Sequence, residues 1–79
     1  MKIEELKKAK DERPFQPFRI RLTDGKEIEI KHPDAVAWED DKARIALVVS
    51  QGENYWIEMA LVTALVRAVP IVPASGNGG

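Results

Sequence analysis

Phe18-Arg19-Ile20-Arg21-Leu22-Thr23-Asp24-Gly25-Lys26-Glu27-Ile28-Glu29-Ile30 is the stretch that decides the fold. Phe18, Ile20 and Leu22 alternate with Arg19, Arg21 and Thr23. Beyond Asp24-Gly25 the alternation resumes, with Ile28 and Ile30 set between Glu27, Glu29 and Lys31. A period of two on both sides of a glycine turn predicts a β-hairpin with one buried face. The two faces together select the turn length. A two-residue Asp24-Gly25 loop would set Glu27 opposite Leu22 and Glu29 opposite Ile20, placing carboxylates on the core side. A three-residue Thr23-Asp24-Gly25 loop, with Gly25 left-handed, pairs Ile20 with Ile28 and Phe18 with Ile30. It also faces Arg21 with Glu27 and Arg19 with Glu29 on the solvent side, each pair contributing roughly a few tenths of a kcal/mol. The second register is therefore the predicted one.

Upstream, residues 2–12 read as a short helix. Ile3, Leu6 and Ala9 recur on one face, and Glu4 is placed to pair with Lys8. Pro14 ends it, because the residue before a proline is pushed out of the helical region. A helix this short is unstable alone, so its apolar stripe must dock.

Downstream, Pro33 interrupts the second strand, with Asp34 as a local hydrogen-bond acceptor at the bend, and residues 34–38 continue the strand. Trp38 shares the parity of Ile28 and Ile30 and is expected in the core. Residues 43–49 are apolar on both parities apart from Arg44, which predicts a central strand covered on two sides. Residues 39–42 and 51–54 are polar turns. Tyr55, Ile57, Met59 and Leu61 alternate with Trp56, Glu58 and Ala60 in a fourth strand. Residues 64–69 fit either a helix, on the spacing of Leu61, Ala64, Leu65 and Ala68, or a fifth strand; the valines favour the strand. Pro70 and Pro73 open a flexible Pro/Gly-rich tail over 70–79. The expectation is one domain over 1–69, mainly β with one N-terminal helix. Its five strands form a mostly antiparallel, strongly bent sheet or small barrel.

Composition bounds what such a domain can do. The 79 residues hold 12 Lys plus Arg against 13 Asp plus Glu, a formal charge of −1. That balance argues against duplex DNA as partner, which calls for a basic excess. Ten of the basic and eleven of the acidic residues fall in 1–42, so the buried strands are expected in the second half. The absence of cysteine excludes disulfides, Cys-ligated zinc and thiol nucleophiles, and suits a reducing cytoplasm. The acidic residues Glu4 and Glu5 stand where a signal peptide would be apolar, and no uncharged apolar run reaches the roughly 18 residues of a spanning helix. A cytoplasmic protein without membrane contact is expected.

The segment Phe18 to Ile28, preceded by a short helix and followed by a bent strand and three more strands, resembles the Sm-like small barrel. The segment Arg13-Pro-Phe-Gln-Pro-Phe-Arg-Ile-Arg-Leu-Thr-Asp-Gly25, with His32-Pro33-Asp34 after it, is similar to a set of short bacterial proteins that carry no assigned activity. The Sm-like resemblance implies a ring-forming RNA-binding protein. The chain departs from that family's nucleotide-binding pattern at Asp41-Lys42-Ala43-Arg44-Ile45, which lacks its Asn, and at Leu61-Val62-Thr63-Ala64, which lacks its Gly. No RNA-binding residue carries over.

Nothing in the residues points to catalysis, a cofactor or a metal. His32 is the only histidine, Glu39-Asp40-Asp41 lacks the alternating spacing of a calcium loop, and Ser50 and Thr63 have no evident base. Arg19, Arg21, Lys26 and Lys31 with Phe15 or Trp56 would be needed to hold RNA, yet Glu27 and Glu29 oppose the arginines. Trp56 is the more informative residue. With Tyr55, Ile57 and Met59 facing the core, it points outward beside Glu58, either as an interface anchor or covered by the helix or tail. The expected interface residues are Trp56, Glu58 and Phe15. The structural turn residues are Gly25, Pro33 and Asp34. The reading is a non-enzymatic module that binds a protein or a second copy of itself, with RNA as the alternative partner.

Overall fold

A computed structural model describes residues 1–67. The tail over 70–79 and the last two residues of the expected fifth strand lie outside them. In chain order the elements are α1 (Ile3–Asp11), β1 (Phe18–Leu22), β2 (Glu27–Ile30), β3 (Val36–Ala37), β4 (Ile45–Ser50), β5 (Glu53–Glu58) and β6 (Val62–Arg67). The fold is mainly β, with one N-terminal helix and antiparallel pairing throughout.

The hairpin takes the three-residue turn. Phe18 pairs with Ile30, Arg19 with Glu29, Ile20 with Ile28 and Arg21 with Glu27. The Leu22 N–H donates to the Lys26 carbonyl at 2.8 Å and the Gly25 N–H to the Leu22 carbonyl at 2.9 Å. Gly25 sits at φ +88°, which a residue without Cβ adopts freely. The Asp24 carboxylate accepts the Lys26 N–H at 2.8 Å, locking the turn from its other side.

The expected single five-stranded bent sheet or barrel is corrected: the described residues form six strands in two three-stranded sheets, β2-β1-β6 and β3-β4-β5. The reason is local. Pro33 has no N–H for a ladder and opens a one-turn 3₁₀ helix, Pro33–Ala35. Pairing then restarts on a new partner: β2 lies against β1, whereas β3 lies against β4. The bent second strand therefore becomes two strands in different sheets. That bend is closed by the Ala35 N–H donating to the His32 carbonyl at 3.0 Å. Asp34 is exposed and accepts no hydrogen bond among the described residues, contrary to its expected role. A second 3₁₀ turn, Met59–Leu61, cuts the expected fourth strand short and leaves Leu61 46% exposed.

The ambiguous region forms a strand. β6 pairs with β1, setting Ile20 against Leu65 and Phe18 against Arg67. The open edge of β1 offers residues 62–67 a backbone ladder, interrupted by one bulge at Thr63 between the Arg21–Ala64 and Leu22–Val62 pairs, and this outweighs their helical spacing. The turn between β4 and β5 is also shorter than expected. Gln51 and Gly52, at φ +51° and +79°, form a two-residue turn, and Glu53 and Asn54 already belong to β5.

The core lies between the sheets and the helix. Ile3, Leu6 and Ala9 of α1 are buried as predicted. They join a cluster with Phe18 and Ile30 from the first sheet and Val48 from the second.

Candidate functional site

β4 is central in its sheet, but among the described residues only one of its faces is covered. Ala46 and Val48 are fully buried, whereas Ile45 is 48% and Val49 47% exposed. The expectation of coverage on both sides is thereby corrected. Pairing carries the open face outward across three strands, with Ala37, Leu47 and Trp56 in one row. Ile45 stands opposite Glu58, and Val49 opposite Asn54. Trp56 is 75% exposed, the most open large apolar side chain among the described residues.

Trp38 closes one end of this surface. It is half-buried against the core rather than within it. The Lys10 ammonium lies 5.2 Å from its ring centroid and donates to the Val36 carbonyl at 2.7 Å, so the last turn of α1 clamps β3. Between the tryptophans runs a groove of about 490 Å³ lined by Trp38, Ile45, Leu47 and Trp56, with Glu39 and Arg44 supplying its charges.

Of the expected interface residues, Trp56 and Glu58 share this face. Phe15 does not. It is half-buried next to the first sheet, its ring 6.0 Å from that of Phe18 and tilted by 57°. Ile45, Leu47 and Val49 were not expected on the site. Their signal was present, because a strand apolar on both parities has either two covered faces or one that is open and sticky.

The outer face of the first sheet has opposite chemistry. Glu27 takes both arginines: Arg19 Nε donates to Oε1 at 2.9 Å and Arg21 Nε to Oε2 at 2.8 Å. Glu29 instead approaches Lys31, at 3.9 Å, so Arg19 pairs diagonally rather than straight across. The Arg21 hydrogen bond, helped by both guanidinium charges, lowers the Glu27 pKa below the ordinary glutamate value. A lowered carboxyl pKa contributes stability above the unfolded-state pKa, and that contribution fades as pH falls through the folded-state value. On this exposed site the titration is the observable. An NMR pH titration of the Glu27 side chain is expected to show a midpoint below those of solvated glutamates, moving upward in Arg21→Leu. An unchanged midpoint in that variant would contradict the assigned cause.

The hydroxyls serve the scaffold. Ser50 Oγ donates to the Glu29 carbonyl at 2.7 Å, tying the two sheets, and Thr63 Oγ1 to the Arg21 carbonyl at 3.2 Å. The Tyr55 hydroxyl donates to Glu53 at 2.9 Å, a bond that raises its pKa. Among the described residues no group of three or more His, Asp or Glu side chains is placed to hold a metal ion, and no helix is long and apolar enough to cross a membrane. No family model, curated protein or solved structure matches the chain. The functional reading therefore rests on the geometry of this face.

Proposed function

We propose that the protein is a non-enzymatic association module whose outer β3-β4-β5 face binds a protein surface, a second copy of the chain being the first partner to test. The observation that carries this is Trp56, 75% exposed and flanked by the open side chains of Ile45 and Val49. A contiguous apolar surface centred on an exposed aromatic is costly in water and has the make-up of an interface centre. Among the described residues β5 pairs only with β4, so its other edge also offers unpaired backbone groups.

Sedimentation across a wide concentration range is expected to show reversible self-association. Trp56→Ser should weaken it by about 2 kcal/mol, roughly thirtyfold in dissociation constant. A full-length protein that stays monomeric at its solubility limit would sink the self-association reading. The Sm-like alternative predicts that short single-stranded RNA is retained at low salt, where phosphate contacts are strongest. With Arg19 and Arg21 both engaged by Glu27, no retention is expected.

A further inference from the structure

Resting on the reading of this region as a self-association surface, we infer that two copies of the chain join edge to edge through β5. The two strands run antiparallel about a two-fold axis, with Trp56 opposite Trp56 of the second copy.

The free edges of the fold are not alike. Among the described residues four strands have one: β2, β6, β3 and β5. β3 is two residues long, β6 carries the bulge at Thr63, and the Glu29 carbonyl of β2 is taken by Ser50. β5 runs six residues against β4 in unbroken register, with no proline and no lysine along it. It therefore lacks the devices that keep a strand edge from pairing.

The backbone of β5 turns three of its residues outward. Its register sets Met59 next in line opposite Arg44, and the Met59 N–H donates to the Arg44 carbonyl at 2.7 Å. Hydrogen-bonded positions alternate along an antiparallel ladder, so Ile57, Tyr55 and Glu53 also turn their N–H and C=O toward β4. The two-residue turn at Gln51-Gly52 closes on Ser50 and Glu53 and requires the same phase. The N–H and C=O of Asn54, Trp56 and Glu58 consequently face away from β4, at the open edge.

Their spacing selects one register. A two-fold axis at Trp56 pairs Trp56 with its own copy and Asn54 with Glu58 on either side, so every outward residue gains a partner. A slip by one residue opposes these groups to residues whose own groups already serve β4. A slip by two leaves Glu58 facing Gly52 in the turn, or Asn54 facing Ala60 in the 3₁₀ turn, beyond the strand ends. The charges agree. Glu53 and Glu58 are the acidic residues of β5, and in this register neither meets a carboxylate: Glu58 receives the Asn54 carboxamide, and Glu53 lies opposite Met59. Trp56 meets its copy at about 5.5 Å between Cα atoms. The apolar row of Ala37, Leu47 and Trp56 then continues across the axis into its duplicate.

The test follows the full chain by NMR from dilute to associated. Association is expected to slow amide exchange at Asn54, Trp56 and Glu58. A mixed labelled sample should show contacts between Tyr55 Hα of one copy and Ile57 Hα of the other, the non-hydrogen-bonded pair of this register. Glu58→Pro takes an outward N–H from β5 at a φ of −75°, which proline adopts. It should weaken association about thirtyfold while the urea midpoint of the dilute protein holds. Asn54→Lys should tighten association several-fold by facing Glu58 of the second copy, and Asn54→Glu should weaken it by as much. These two decide the matter should Glu58→Pro fail to fold. Association in which the three amides exchange as in the monomer, or in which Asn54→Lys and Asn54→Glu act alike, overturns the edge pairing and leaves association through the outer face standing. A chain that is monomeric at its solubility limit removes both.

Discussion

Phe18→Ala is expected to leave the protein largely unfolded at room temperature. Phe18 is 2% exposed and sits at the centre of the β2-β1-β6 sheet, paired to Ile30 on one side and Arg67 on the other. Truncating a buried phenylalanine costs about 3–5 kcal/mol through lost transfer energy and the cavity left behind. A domain of this size has a total stability of roughly 3–10 kcal/mol at the usual per-residue value. The loss is therefore comparable with the whole. Phe15 leans on the same ring and would lose its support as well. Urea titration followed by far-ultraviolet circular dichroism checks this. A midpoint shift equivalent to less than about 1 kcal/mol would contradict the central placement of Phe18.

Leu6→Ala is expected to act differently, by releasing the helix before the sheets. Leu6 is 1% exposed and is the middle member of the Ile3, Leu6, Ala9 stripe. Its truncation costs about 2–5 kcal/mol. Nine residues of helix are too few to persist in water, so the stripe is what keeps α1 formed. Besides Ile3 and Ala9 at the ends of the stripe, the other ties are polar: the N-terminal ammonium donates to the Met59 carbonyl at 3.0 Å, and Lys10 to the Val36 carbonyl. Amide hydrogen exchange should show loss of protection over Ile3–Asp11 first, with the β1-β2 ladder following only at the reduced global stability. Unchanged protection in α1 would mean that Leu6 is not its anchor.

Much of this was legible in the sequence, for identifiable reasons. The first hairpin could be read to the residue because its two faces impose independent conditions, apolar in and charged out, and one register meets both. The helix stripe was legible for the same reason. The break at Pro33 was visible, but its outcome was not. Whether a strand resumes in the same sheet or joins another depends on which edge is free, and that is decided by β4, which begins twelve residues after Pro33. Residues 45–49 were ambiguous in kind: apolar side chains on both parities do not say whether the second face is covered. Trp56 could be placed outward by parity alone. The groove could not, because its other wall, Trp38, comes directly after a strand whose neighbours only the tertiary pairing reveals. Glu27 engaging both arginines was hidden too, since backbone register does not dictate which of two reachable partners a long side chain takes.

The pairing of β1 with β6 sets an order of events during synthesis. Phe18 meets Arg67, so the first sheet cannot be completed until the last described strand has been made. Up to that moment β1 carries an open edge, and Phe18 and Ile20 lack the strand that completes their sheet. The ribosome adds about 5–20 residues per second, so this interval lasts seconds. The first hairpin and the β4-β5 hairpin can each form as soon as they emerge, because their partners are adjacent in the chain. A nascent chain stalled between them and β6 would therefore expose the open edge of β1 to a chaperone, an edge that β6 covers once it is made.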